Sequence, residues 1–321
     1  MHLMHSILKL FSNRDLLYVR RLITNILANK LPYREQSKLF WDDNGYTRNL
    51  RISPANPSED DLNIYKKYLT DGGNNKKVLL LGSTPLLRHL LSELGFQNYV
   101  VADFSFATIE NSLWALNKLG IDLNPENEIW LKSDWLYMPL EPQSYDCVIG
   151  DMVFTQIEPS KQPLFVKKIS SLLKQNGNFI VRMCMCNTDF DDVDPKKIIE
   201  GILFSETSAV EQRFALLYRL RDRLRDNKTQ TTSPSTIINE LLKYQTPDEK
   251  KGDFLRSVAK MISKRAEVGL PFITQLKDEL DEIISKEFLL EASATASDYA
   301  YDNFPIYILR KKNIVSRLVI L

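Results

Sequence analysis

Four apolar runs in the first half of the chain each end on a residue that can do chemistry. They are KVLLLG (77–82), YVVAD (99–103), EIWLKSD (128–134) and YDCVIGD (145–151). The terminal acids are Asp103, Asp134 and Asp151, and carboxylates accept hydrogen bonds from the hydroxyls and amines of a polar ligand. Gly82 opens the turn Gly82-Ser83-Thr84-Pro85. A glycine there lets backbone approach a ligand closely, Ser83 or Thr84 is expected to cap the next helix, and Pro85 suits its first position. A dinucleotide site requires G-x-G-x-x-G at this place, because backbone amides must crowd a pyrophosphate. This turn has one glycine, which points to a ligand without phosphate. Asp103 follows Gly82 by 21 residues, close to the ~20 expected of an acid that grips a ribose diol. Asp134 is placed to accept from an adenine amine, with Trp135 over the ring face. Asp151, beside Gly150, would hold a ligand amino group or a second substrate. Each has a structural alternative: a capped turn at Gly82, a surface or capping role for Asp103, an exposed loop acid for Asp134, a helix cap for Asp151.

The elements that must carry these residues follow from periodicity. Short apolar runs bounded by turn signals read as buried parallel strands. Between them, 85–94, 106–119 and 161–173 carry helical spacing, and a fifth strand is expected at 179–184. Strand–helix alternation argues for a parallel sheet covered on both faces. Two late runs, 288–295 and 304–310, follow a helix at 275–286 and suggest an antiparallel edge. The expected fold class is therefore α/β: a Rossmann-like doubly wound sheet of about seven strands, mostly parallel with an antiparallel last strand. Residues 1–72 read as an N-terminal helical cap or lid, 73–187 as the ligand-binding half of the core, 188–270 as a charged helical insertion over the substrate, and 271–321 as completion of the sheet.

In order and spacing, VLLLGSTP, VVADFS, KSDW and YDCVIGD resemble the motifs of the class I S-adenosylmethionine-dependent methyltransferases. ISSLLKQNGNFIVRM resembles the family's leucine-rich helix, Lys-Pro-Gly-Gly turn and fifth strand. The resemblance spans 76–187 and extends to 271–311. Two features depart from the pattern: GxGxG is reduced to GSTP, and Lys-Pro-Gly-Gly to Lys174-Gln-Asn-Gly177. The resemblance implies S-adenosylmethionine as cofactor. It implies Gly82, Ser83 and Thr84 at the methionine end, Asp103 with Phe104 and Ser105 at the ribose, Asp134 and Trp135 at the adenine, and Gly150 and Asp151 near the sulfonium. It implies methyl transfer to a small molecule. An aminopropyltransferase using the decarboxylated cofactor, or a non-catalytic partner subunit, keeps the same core.

No general base stands out. Asp151 and Tyr46 are the catalytic candidates, and Tyr299 and Tyr301 are further possible pocket residues. His89 reads as a structural helix residue. The cluster Phe40 to Tyr46 reads as a lid or as packing on the sheet edge. Asp151-Met-Val-Phe154 lacks the Asn/Asp-Pro-Pro-Tyr/Phe motif of enzymes acting on base amines. Lys and Arg total 42 against 41 Asp and Glu, so no basic excess points to nucleic acid. Three cysteines, Cys147, Cys184 and Cys186, and three histidines make neither a disulfide framework nor a recognisable metal set. They fit a reducing cytoplasm. No run approaches the ~20 apolar residues of a membrane span, and residues 1–14 do not read as a secretory signal. The alternating Arg219, Arg221, Arg223 and Arg225, with Asp222 and Asp226, read as a salt-bridged solvated face. The apolar tail 314–321 is expected to pack on the body or on a second copy, so a homodimer is among the expectations.

Overall fold

The computed structural model describes residues 31–44, 53–71, 73, 75–205, 207–299 and 303–313. Five parallel strands, β1 (Val78–Leu81), β2 (Tyr99–Asp103), β3 (Glu128–Lys132), β4 (Tyr145–Asp151) and β5 (Leu173–Arg182), join two late ones, β6 (Phe288–Ala294) and β7 (Ile306–Lys311). The sheet order is β3-β2-β1-β4-β5-β7-β6. β7 is antiparallel to both neighbours, so the doubly wound Rossmann-like sheet is mixed only at its end. After β3 the chain crosses to the far side of β1. The switch point therefore lies between β1 and β4, where open α/β sheets bind ligands at the carboxyl ends of their strands.

Residue alternation along the strands supplies both faces of the core. Val78, Leu80, Val101, Ile149 and Ile180 point to one face. There they meet Tyr65 and Leu69 of α2 (Glu59–Thr70), Leu87, Leu90 and Leu91 of α3 (Pro85–Glu93), and Ile109 of α4 (Phe106–Asn117). Leu79, Leu81, Val148, Phe179 and Val181 point the other way. They pack on Phe165, Val166 and Ile169 of α5 (Gln162–Leu172) and on Leu280 and Ile284 of α10 (Lys277–Ser285). α2 is thus part of the sheet's packing, whereas α1 (Tyr33–Asn44) lies by the strand ends.

Four helices stand between β5 and α10: α6 (Pro195–Leu203), α7 (Ala209–Arg223), α8 (Pro234–Lys243) and α9 (Glu249–Glu267). They enclose a cluster of their own that includes Ile199, Leu216, Leu220, Ile237, Leu255 and Val258. A two-residue antiparallel ribbon, Thr231–Thr232 against Phe272–Ile273, ties α7–α8 to the segment leaving α9. Among the described residues no helix is long and apolar enough to cross a membrane. The tail 314–321, residues 1–30, Tyr46 and Tyr301 lie outside the described residues.

Candidate functional site

Strand register sets the expected residues side by side. Leu81 pairs with Ala102 on one side and Gly150 on the other. The residues one step on, Gly82, Asp103 and Asp151, therefore form one row across β2, β1 and β4. Gly82 has φ +81°, a left-handed conformation that strains any other residue. Its N–H donates to Ala102 O at 2.8 Å, as does the indole N–H of Trp135 at 2.7 Å. Trp135 thus lies against the turn. Asp103 is buried; its Oδ1 accepts from the Ser105 N–H at 2.9 Å and its Oδ2 from the Ser83 hydroxyl at 3.3 Å. Burial pushes its carboxyl up to about 6, against the opposing effect of these bonds.

One expectation needs correction here, and two expected site residues have structural roles. Neither Ser83 nor Thr84 caps α3: Ser83 is committed to Asp103, and Thr84 stands at the cap position without a side-chain bond. Ser105 caps α4 instead, accepting from the Thr108 N–H at 3.2 Å, and is fully buried there. Gly150 is a packing requirement, since a Cβ would meet Val153 Cγ1 at 2.6 Å. Neither Ser105 nor Gly150 is among the lining residues of the two cavities that open here.

Two cavities open over the row. One of about 560 Å³ is lined by Gly82, Ser83, Thr84, Asp103, Phe104 and Asp151, with Phe40 and Trp41 of α1 across from them. The other, of about 480 Å³, is lined by Ser133 and Asp134 with Tyr33 and Arg34 of α1. Phe104, Trp135 and Gln156 line both, so the two are neighbours. The Ser133 N–H donates to Asp103 O at 2.9 Å, which holds the two acid-bearing loops together. Asp134 pairs with Arg34 Nε at 2.7 Å and accepts from the Leu136 N–H at 2.9 Å. The aromatic–acidic cluster meets the site through Phe40 and Trp41. The Trp41 indole donates to Gln156 Oε1 at 3.1 Å, and Phe40 packs with Val268 and Leu270.

Asp151 is held by a residue that sequence reasoning missed. Arg182, at the end of β5 and fully buried, donates through Nε to Asp151 at 2.7 Å and through Nη1 to Asp61 at 2.9 Å. Its remaining donors reach Asn56 O and Pro54 O. Burial disfavours its charge, but the two carboxylates more than compensate and keep it protonated. Tyr65 accepts from the Arg182 N–H at 2.8 Å and donates to Gly150 O at 2.7 Å, so α2 braces β4 and β5. Tyr299 donates to Asp61 at 3.2 Å, which places it in this network and not in the cavity lining. His89 lines neither cavity.

The arginines of the insertion are not a solvated face. Arg221 and Asp222, neighbours in sequence, are buried and pair with each other. Arg221 also donates to Cys184 Sγ at 2.8 Å and to Met185 O at 3.1 Å, and Arg225 to Cys186 Sγ at 2.8 Å. Burial pushes the Cys186 thiol up to about 12 and Cys184 upward too, so these sulfurs act as acceptors and not as nucleophiles.

No family model matches the sequence, and no curated protein is significantly similar to it. Among solved structures, a putative Zn-dependent alcohol dehydrogenase from Rhodobacter sphaeroides is 16% identical, with 87% of this chain and 98% of that one covered and a TM-score of 0.53. That likeness shows the fold alone. An S-adenosylmethionine-dependent methyltransferase from Methanosarcina mazei is 12% identical, covering 77% and 96%, at a TM-score of 0.47. The N-methyltransferase NodS from Bradyrhizobium japonicum, in complex with S-adenosyl-L-homocysteine, is 9% identical, covering 88% and 98%, at 0.44. Among the described residues no group of three His, Cys, Asp or Glu is arranged to hold a metal ion. What the site offers is a row of acceptors beside a glycine turn, an aromatic wall, and a lining contributed by α1, α7 and α9.

Proposed function

We propose that this chain transfers the methyl group of S-adenosylmethionine to a small-molecule acceptor by in-line displacement. The observation that carries the reading is the placement of Asp103 and Asp134 on adjoining cavities that share Phe104 and Trp135. A single-glycine turn stands beside them. An adenosyl group laid across both cavities would meet one acid at its ribose and the other at its base. The fit also holds for size, since cavities of ~300–1,000 Å³ suit ligands of this class.

Bound S-adenosylmethionine would supply a methyl group on a sulfonium whose leaving group is a neutral thioether. The chain's own work is then alignment and exclusion of water. Asp103 would accept from ribose hydroxyls in its ionised form. Asp134 would exchange Arg34 for the adenine amine. Asp151 is a poor candidate for a general base, because its carboxylate is engaged by the Arg182 guanidinium at 2.7 Å. Its role in this reading is to hold a cationic group of the ligand. α1 and the insertion 188–270 act as caps over the core. The free, buried cysteines fit a reducing compartment such as the cytoplasm.

Isothermal titration tests the proposal. S-adenosylmethionine and S-adenosylhomocysteine are expected to bind, and Asp103→Ala to weaken binding by ~1–3 kcal/mol. Preference for the decarboxylated cofactor would favour aminopropyl transfer, and no binding would leave a non-catalytic scaffold. The cationic lining described next counts against a polyamine acceptor.

A further inference from the structure

The large cavity is asymmetric in charge. Its strand-end wall contributes two acids, Asp103 and Asp151. Its wall from α7 and α9 contributes Arg221, Lys260, Lys264 and Arg265, and no carboxylate. Asp151 shares Arg182 with Asp61, and Arg221 is paired with Asp222. Arg265 is buried, with its guanidinium 4.6 Å from the Phe272 ring and 5.4 Å from that of Phe40. Lys260 and Lys264 are one helical turn apart on the same face of α9, are exposed, and form no salt bridge among the described residues.

S-adenosylmethionine carries a sulfonium, an ammonium and one carboxylate, so it brings net positive charge into a cavity already rich in cations. Arg221 is already paired with Asp222, and the buried Arg265 suffices for the cofactor's carboxylate. Lys260 and Lys264 are left without an anion unless the second substrate provides it. A cleft lined by one sign of charge concentrates ligands of the other sign. The same cavity is lined by Trp41, Phe214, Tyr218 and Phe272, a set of rings suited to a flat apolar body.

We infer that the acceptor is an organic anion, a carboxylate or phosphate ester on an aromatic or apolar body, drawn in by Lys260 and Lys264. This rests on the methyltransferase reading above. The test titrates protein saturated with S-adenosylhomocysteine against four probes of similar size: benzoate, phenyl phosphate, benzyl alcohol and benzylamine. At least one anion is expected to bind about tenfold more tightly than the alcohol and the amine, a difference of about 1.4 kcal/mol. Benzoate alone would mark a carboxylate, phenyl phosphate alone a phosphate ester. In Lys260→Gln/Lys264→Gln, two exposed substitutions, the anion preference should disappear while S-adenosylhomocysteine affinity and Tm stay unchanged. Equal or tighter binding of the neutral or cationic probe, no anion binding, or a preference that survives the double substitution overturns the inference. Failure of S-adenosylhomocysteine to bind, with the anion preference intact in the free protein, overturns the methyl-transfer reading instead and leaves an anion site.

Discussion

Asp103 is under two opposed demands. Its place in the row requires an acceptor for ligand hydroxyls, yet burial makes the ionised form costly. A carboxyl raised from 3.8 to about 6 in the fold stabilises it while protonated. That contribution is complete below the unfolded value and is lost as pH rises through the folded one. Asparagine stays neutral throughout. Asp103→Asn should therefore be more stable than the parent at pH 8, by on the order of 2–3 kcal/mol, and the gap should close as pH falls toward 4. Cofactor affinity should move the other way, weakening in the variant and, in the parent, declining below about pH 6. Equal melting curves at pH 8 would remove the burial argument. Asp103 was legible in the sequence because a strand end and a spacing announce it. Arg182 was not: a charged residue is exposed by default, and its partner Asp61 is 121 residues away. Arg182→Met should cost ~3–5 kcal/mol, since it leaves Asp61 and Asp151 buried without their counter-ion; a thermal melt within a degree of the parent would show that solvent satisfies them.

At the scale of elements, β1, β2 and β4 could be read because each is a short apolar run between turns, and every residue of β1 and β2 is buried; β3, at the sheet edge, has no buried residue, and β5 begins at Leu173, six residues before the expected start, through the polar stretch Lys174–Gly177. The two-residue ribbon could not be read, since two pairs of residues leave no period to detect. Nor could the departure of Ser83 from the cap, which is decided by a neighbouring strand. The position of α1 belongs to the same class. Its ties are side-chain contacts to distant loops: the Tyr33 hydroxyl to Thr155 O, Arg34 to Asp134, Trp41 to Gln156. A helix tied by side chains to loops outside the sheet is expected to open at lower free energy than the strands. Hydrogen exchange within Tyr33–Asn44 should slow several-fold when S-adenosylhomocysteine binds. Trp41→Ala should abolish that slowing and weaken the cofactor with little change in global stability. Exchange that ignores the ligand would make α1 a fixed part of the wall.

At the scale of the molecule, the question is whether the insertion folds with the sheet or beside it. The change of texture near residue 188 was visible in the sequence as the end of strand–helix alternation. What joins the two parts was not, because the join is made of charges buried in tertiary contact. Arg221 of α7 reaches Cys184 Sγ and Met185 O just beyond β5, and Asp222 accepts from the Asn187 N–H at 2.9 Å. The Thr232 hydroxyl, from the ribbon, returns to Arg221 O at 2.6 Å. These polar links, with the Tyr218 ring of α7 against buried Phe304 at 5.1 Å, couple the insertion to the sheet. Arg221→Met strands Asp222 as a buried, unpaired anion and should destabilise the protein by ~3–5 kcal/mol. Arg221→Met with Asp222→Leu removes both charges and should recover most of that loss, as replacing a buried pair by apolar groups often does. If the links couple two cooperative units, exchange protection in the single variant should fall within α6 to α9 and persist in β1, β4 and β5. Equal loss in sheet and insertion would show one unit, with the roof of the cavity as rigid as its floor.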